Sequence, residues 1–208
     1  MDYLLIIIAS YLVGSIPNGL IVGKLMRGVD LRQFGSKNIG ATNAYRVLGP
    51  WPAFWVFLTD ALKGIVGVLL GQLLSGTALA QLAGGMAAIA GHNWSIYLKF
   101  KGGRGVATSL GVIAVITPQA TLIVFIVWML IVYFTRYVSL ASIVAAALAP
   151  VCIWLLGGQQ EFFYFAVVAA LFVIIRHRPN VERLLKGEEP KIKAAGSTKD
   201  HEDNIKEK

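Results

Sequence analysis

The chain has little charge and almost no cysteine. Of its 208 residues only 14% are charged, and just 11 are acidic against 19 Lys and Arg, whereas soluble domains carry about a quarter charged residues. The single cysteine, Cys152, has no intrachain partner, which excludes a disulfide framework and a cysteine-rich metal centre. Neither a Walker A loop nor a GxSxG nucleophile elbow is present, so nothing local announces a nucleotide-gripping loop or a covalent serine mechanism. An HxxxxD pair is also missing, because five residues after His92 stands Tyr97, and five after His177 stands Glu182. There is no internal repeat, which counts against the duplicated architecture of many secondary transporters.

What the chain does have is apolar length: 56% of residues are hydrophobic and the mean hydropathy is +0.67. Apolar runs cover residues 3–22, 51–74, 78–98, 106–134, 138–156 and 161–175. These lengths suit helices crossing a hydrocarbon core, which takes about 20 residues each. The first run follows Asp2 with no basic residue before it, and reads as a retained span rather than a cleaved signal. The run at 106–134 is interrupted by Thr117-Pro118-Gln119, where proline cannot continue a helical ladder. Splitting it into 106–116 and 119–134 gives seven spans, with the N-terminus outside and the C-terminus in the cytoplasm. Five basic residues then fall in 24–50, three in 99–104, one at Arg136 and nine from Arg176 onward, all cytoplasmic, while Lys63 alone lies inside a span. A single crossing would put the cationic tail outside, against the positive-inside rule. The expectation is therefore an all-α, polytopic membrane helix bundle over 1–186, with a polar cytoplasmic tail over 187–208.

Three polar segments meet on the cytoplasmic side of this topology. The first runs Gly35-Ser36-Lys37-Asn38-Ile39-Gly40-Ala41-Thr42-Asn43, followed by Arg46; its small residues leave amides accessible for an anion. The second, Lys99-Phe100-Lys101-Gly102-Gly103-Arg104-Gly105, opens the apolar segment from Val106, and glycines joined to a helix N-terminus suit phosphate. The third is Arg176-His177-Arg178-Pro179-Asn180 at the end of the last span. Each alone is also what an ordinary charged connection between spans looks like; topology by itself does not ask for the glycines and asparagines. Deeper in the second span, Asp60 and Lys63 are three apart and able to pair, either to support a site or as a structural ion pair.

GSIP at 14–17, GSKNIGATNAYRVLG at 35–49, DALKG at 60–64, GHNWSIYLKFKGGRGVAT at 91–108 and RHRPNVERLLKGEE at 176–189 together resemble the bacterial acyl-phosphate glycerol-3-phosphate acyltransferase family, PlsY. The resemblance runs in register to about residue 190, with Lys37 where many members have glycine and Arg104 where many have lysine. It implies acyl transfer from acyl phosphate to glycerol 3-phosphate, giving lysophosphatidic acid and phosphate, by an enzyme of the bacterial inner membrane whose site faces the cytoplasm. It also implies that Ser36, Asn38, Thr42, Asn43 and Arg46 line one wall, that Lys101, Gly102, Gly103, Arg104 and Gly105 hold phosphate, and that His177 and Asn180 orient a substrate or the leaving group. Ser36, Lys101, His177 and Asn180 are the expected catalytic set, with Ser142 and Ser139 as secondary binding candidates. The partners are then acyl phosphate, glycerol 3-phosphate and membrane lipid, with no cofactor, metal or nucleic acid. The rival reading is a transporter of a phosphorylated anion, which would need its site near the bilayer midplane.

Overall fold

The computed structural model describes residues 1–192. Its helices are α1 (Asp2–Ser15), α2 (Asn18–Arg27), α3 (Ala41–Leu48), α4 (Pro50–Leu74), α5 (Ala78–Asn93), α6 (Val106–Ile116), α7 (Pro118–Thr135), α8 (Val138–Leu155), α9 (Gln160–Arg176) and α10 (Arg178–Leu185). Short 3-10 turns lie at Leu31–Gln33 and Ile96–Leu98.

Proline sets two of the breaks. Pro17 lacks an amide to continue α1, so the apolar run expected to reach residue 22 bends after Ser15 into the separate helix α2. Pro118 stands at the first position of α7, where its fixed φ suits a helix start, and Thr117 separates it from α6. The long run is thus two helices. The run at 78–98 also stops early: α5 ends at Asn93, and the next residues form the second 3-10 turn.

Backbones approach closely among α1, α4 and α5, where small residues face one another. A Cβ on Gly67 would lie 2.6 Å from the Gly84 carbonyl oxygen, and one on Gly14 would lie 2.2 Å from that of Ala88; dispersion and backbone proximity, rather than water exclusion, drive such packing in lipid. A second group, α7, α8 and α9, encloses a core of Ala145, Ala149, Ile153 and Ala166. Between the two groups α6 packs on α4. Leu62, Leu122, Tyr133, Phe134, Leu171 and Ile175 are exposed on the outside, a surface suited to lipid.

Four stretches are long and apolar enough to cross a bilayer: Asp2–Arg27, Pro50–Leu74, Pro118–Thr135 and Val138–Leu155, with a fifth if α9 and α10, bent by 57°, are taken together. The helices α5 and α6 are shorter, at 16 and 11 residues. Up-and-down alternation gathers the ends of α1, α5, α7 and α9 and the starts of α4, α6 and α8 at one end of the bundle. Residues 187–192, expected as the beginning of a polar tail, pack at this same end: Arg46 Nη2 donates to the Pro190 carbonyl at 2.7 Å, and the Ile192 amide donates to that of Arg136 at 2.9 Å. The rest of the expected tail, 193–208, lies outside the described residues.

Candidate active site

A cavity of about 450 Å³ opens at that end, between α3, α4, α6, α7, α8 and α9. Its mouth is polar, bordered by Ser36, Asn38, Thr42, Arg46, Arg104, Ser139, His177 and Glu189. Its interior is an apolar arm made of Ile113 from α6, Val124 and Trp128 from α7, Ala145 and Ala149 from α8, and Ala166 and Ala170 from α9. Alanines on two adjacent helices leave the volume open.

The mouth's first wall is shaped by Asn43. Its Oδ1 accepts the Ser36 amide at 2.8 Å, and its Nδ2 lies within hydrogen-bond distance of the Leu31, Phe34 and Asn38 carbonyls, at 3.1, 3.1 and 2.8 Å. That side chain is saturated by its own loop, so Asn43 builds the wall on which Ser36, Asn38, Thr42 and Arg46 stand. Asn38 Oδ1 meanwhile accepts the Gly40 amide at 3.2 Å, turning the chain into α3.

The glycine loop works differently from the expected cradle of free amides. The Gly102 and Gly103 amides donate to the Asn93 and His92 carbonyls at the end of α5, at 3.2 and 2.9 Å. From the other side Arg176 donates to both glycine carbonyls, through Nη2 to Gly102 at 3.1 Å and through Nε to Gly103 at 3.1 Å. Gly102 and Gly103 are therefore pinned and do not border the cavity, and Lys101 is exposed outside it. What the loop delivers to the mouth is Arg104, Gly105 and the start of α6, where unpaired amides and the helix dipole favour an anion. Burial, together with Arg183, Arg46 and Arg176, pulls the Arg104 guanidinium down to about 10, while Glu189 acts in the opposite sense. It stays charged at neutral pH.

His177 follows α9 and is buried. Its Nδ1 lies 2.7 Å from the Val173 carbonyl, which can only accept, so Nδ1 carries the proton and Nε2 is left as the acceptor nitrogen in the neutral ring. Burial, reinforced by Arg104 and opposed by the Val173 bond, pushes the imidazole down to about 4. The ring is thus neutral at neutral pH. In this tautomer the ring presents a hydrogen-bond acceptor, Nε2, rather than a second donor. Asn180 does not border the cavity; its Nδ2 donates to Glu189 Oε1 at 2.7 Å. Ser142 borders the cavity with its hydroxyl already engaged, donating to the Val138 carbonyl at 2.8 Å and accepting from Trp128 Nε1 at 3.2 Å.

Glu189 is the mouth residue that the sequence did not reveal. It is buried, accepts from Asn180 and, at 2.8 Å, from Arg183 Nε. Burial opposes its ionisation, but the Asn180 and Arg183 bonds outweigh that and hold its carboxyl below the usual range. A carboxylate among Arg46, Arg104 and Arg183 offsets part of their positive charge. No local pattern marks it, since it follows Gly187 and Glu188 in a stretch of mixed charge.

The sequence and the architecture have counterparts in known proteins. The profile of the family described as Glycerol-3-phosphate acyltransferase matches residues 4–187. "Glycerol-3-phosphate acyltransferase 2" of Moorella thermoacetica is 49% identical over 91% of this chain and 97% of its own length. The glycerol-3-phosphate acyltransferase of Fusobacterium nucleatum is 43% identical over 93% and 100%. Among solved structures, the crystal structure of PlsY (YgiH), an integral membrane glycerol 3-phosphate acyltransferase, superposes in its glycerol 3-phosphate form with a TM-score of 0.88 at 40% identity, covering 93% of this chain and 96% of that one. Its lysophosphatidic acid form gives 0.86 at 39%. Sequence, fold and membrane-suited surface agree, and the chain belongs to the glycerol-3-phosphate acyltransferase family as a multi-pass membrane protein.

Proposed function

We propose that the protein transfers an acyl group from acyl phosphate to the 1-hydroxyl of glycerol 3-phosphate, releasing phosphate and forming lysophosphatidic acid. One observation carries this reading: a single cavity joins a cationic polar mouth to an apolar arm. A phosphorylated polyol fits the first and a hydrocarbon chain the second. From His177 to Ala166, eleven residues along α9, the arm runs about 16 Å at 1.5 Å per residue. Its floor is the apolar core around Ile113, Val124, Ala149 and Ala166, which offers no polar path onward for a transported anion.

In this reading Arg46, Arg104 and the start of α6 hold phosphate charge, and Ser36, Asn38 and Thr42 meet the remaining oxygens. His177 Nε2 accepts a hydrogen bond from the 1-hydroxyl and aims its oxygen at the acyl carbon. That oxygen forms the ester bond as the bond from carbon to the phosphate oxygen breaks, and the hydroxyl proton passes by way of His177 Nε2 to the released phosphate. The donor is a mixed anhydride with a good leaving group, so positioning and charge stabilisation supply most of what the step needs. The chain would cross the bacterial inner membrane seven times, N-terminus outside, with the mouth facing the cytoplasm and the bilayer supplying the acyl chain.

Detergent-purified protein given glycerol 3-phosphate should make lysophosphatidic acid with acyl phosphate and none with an acyl thioester. Equal use of the thioester would overturn the donor assignment; no lipid product from either would overturn the reading.

A further inference from the structure

The ion cluster inside the bundle is not used by the chemistry above. Lys63 Nζ lies 2.8 Å from Asp60 Oδ1, with the two side chains 4% and 3% exposed. Asn18 Nδ2 donates to the same oxygen at 3.2 Å, and His92 Nδ1 stands 3.6 Å from it. Among the described residues that nitrogen has no partner within bonding distance. Burying such charges is costly in lipid, and an apolar pair of the same volume commonly serves stability as well. The retained cluster calls for another role.

The far edge of the His92 ring supplies one. A Cβ built on Gly103 would lie 2.1 Å from His92 Nε2, and its next nearest atoms, at 2.8 and 2.9 Å, belong to the same ring. The imidazole is thus wedged between the buried carboxylate and the backbone that carries Arg104. The His92 carbonyl also accepts the Gly103 amide, so one residue fixes the loop through both its backbone and its ring. Both Asp60 and His92 reach the cavity wall, directly behind the mouth.

We propose that Asp60 and His92 are positioning residues for phosphate binding: Asp60, held by Lys63 and Asn18, orients the His92 ring, and the ring sets the height of Gly103 and so the place of Arg104 and the start of α6. This rests on the phosphate role given above to the mouth. It also gives glycine at 103 a reason distinct from amide exposure, since any side chain there would strike the ring.

The test measures glycerol 3-phosphate binding by titration calorimetry on the full chain in detergent, together with turnover at saturating substrate and the unfolding midpoint. His92→Ala should weaken binding about tenfold while saturated turnover falls less than about threefold, and His92→Gln, whose amide reaches toward the Nε2 position, should recover part of the loss. Gly103→Ala should weaken binding by itself yet add nothing in the His92→Ala background, because the ring it strikes is gone. Asp60→Asn alone leaves Lys63 buried without its counter-charge, so Asp60→Asn combined with Lys63→Met is the informative variant. It should keep a wild-type midpoint and still bind about tenfold more weakly. Wild-type binding by His92→Ala or by the Asp60/Lys63 variant overturns the inference, as do losses from His92→Ala and Gly103→Ala that simply multiply. A wild-type protein that binds no glycerol 3-phosphate overturns the phosphate role of the mouth, and the inference with it.

Discussion

Asn180 Nδ2 donates to Glu189 Oε1 at 2.7 Å, tying the start of α10 to a residue beyond its end. The bond returns the chain across the mouth, and Arg183 holds the other carboxylate oxygen. Removing either partner should therefore loosen residues 187–192, and removing Glu189 also takes away the carboxylate that faces Arg104. Glu189→Ala and Asn180→Ala should each destabilise the protein by about 1.5–3 kcal/mol, the range for bonds to a charged group. Unfolding midpoints in detergent check this, and unchanged midpoints would mean the strap is not held this way.

Cations at the mouth should separate sharply from those outside it. Arg46→Ala and Arg104→Ala remove charges that border the cavity and should raise KM for glycerol 3-phosphate roughly tenfold to a hundredfold, the equivalent of one lost charge-assisted contact. Lys101→Ala, at an exposed position, should stay within about threefold of wild type. Steady-state kinetics decides it, and a Lys101 effect as large as that of Arg104 would return Lys101 to the site.

For pH, the direction of the His177 shift sets the sign. Its folded value of about 4 lies below the ordinary value of about 6.5, so above the latter it costs nothing. As pH falls from about 6.5 toward 4 the unfolded chain takes up a proton first, and stability is lost through that window. The midpoint should drop between pH 7.5 and 5, and drop less in His177→Gln. Activity should report a different group: the acidic limb of kcat/KM reflects free enzyme and free substrate, and a limb near 6 then belongs to the second ionisation of a phosphate. A limb in wild type that vanishes in a folded, active His177→Gln would assign it to the imidazole instead.

On the proposed topology of seven crossings, the two ends of the bundle lie on opposite sides of the membrane. In a Cys152→Ala background, Leu79→Cys and Gln159→Cys should react with an impermeant thiol reagent from outside intact cells, and Lys37→Cys and Lys101→Cys should not. External labelling at Lys101 would reverse the orientation.

Much of this was legible locally, and the remainder was not for identifiable reasons. The break between α6 and α7 could be read because Pro118 acts through its own missing amide. The convergence of Arg46, Arg104 and His177 could be read from charge bias and span alternation. Gly102 and Gly103 were open to misreading because a missing side chain serves either amide exposure or close packing. The His92 ring and the Arg176 guanidinium, both distant in sequence, make it packing. The spacing of Asp60 and Lys63 announced a pair, but its further partners, Asn18 and His92, stand on two other helices. Nothing in the neighbours of Asn43 shows that the loop engages its side chain.

On the proposed function, two phosphorylated molecules exchange an acyl group in one cavity. Purified protein incubated with acyl phosphate and labelled glycerol 3-phosphate should yield lysophosphatidic acid and inorganic phosphate in equal amounts, both requiring glycerol 3-phosphate. Phosphate release without lipid product, or glycerol 3-phosphate moved unaltered into vesicles containing the protein, would contradict it.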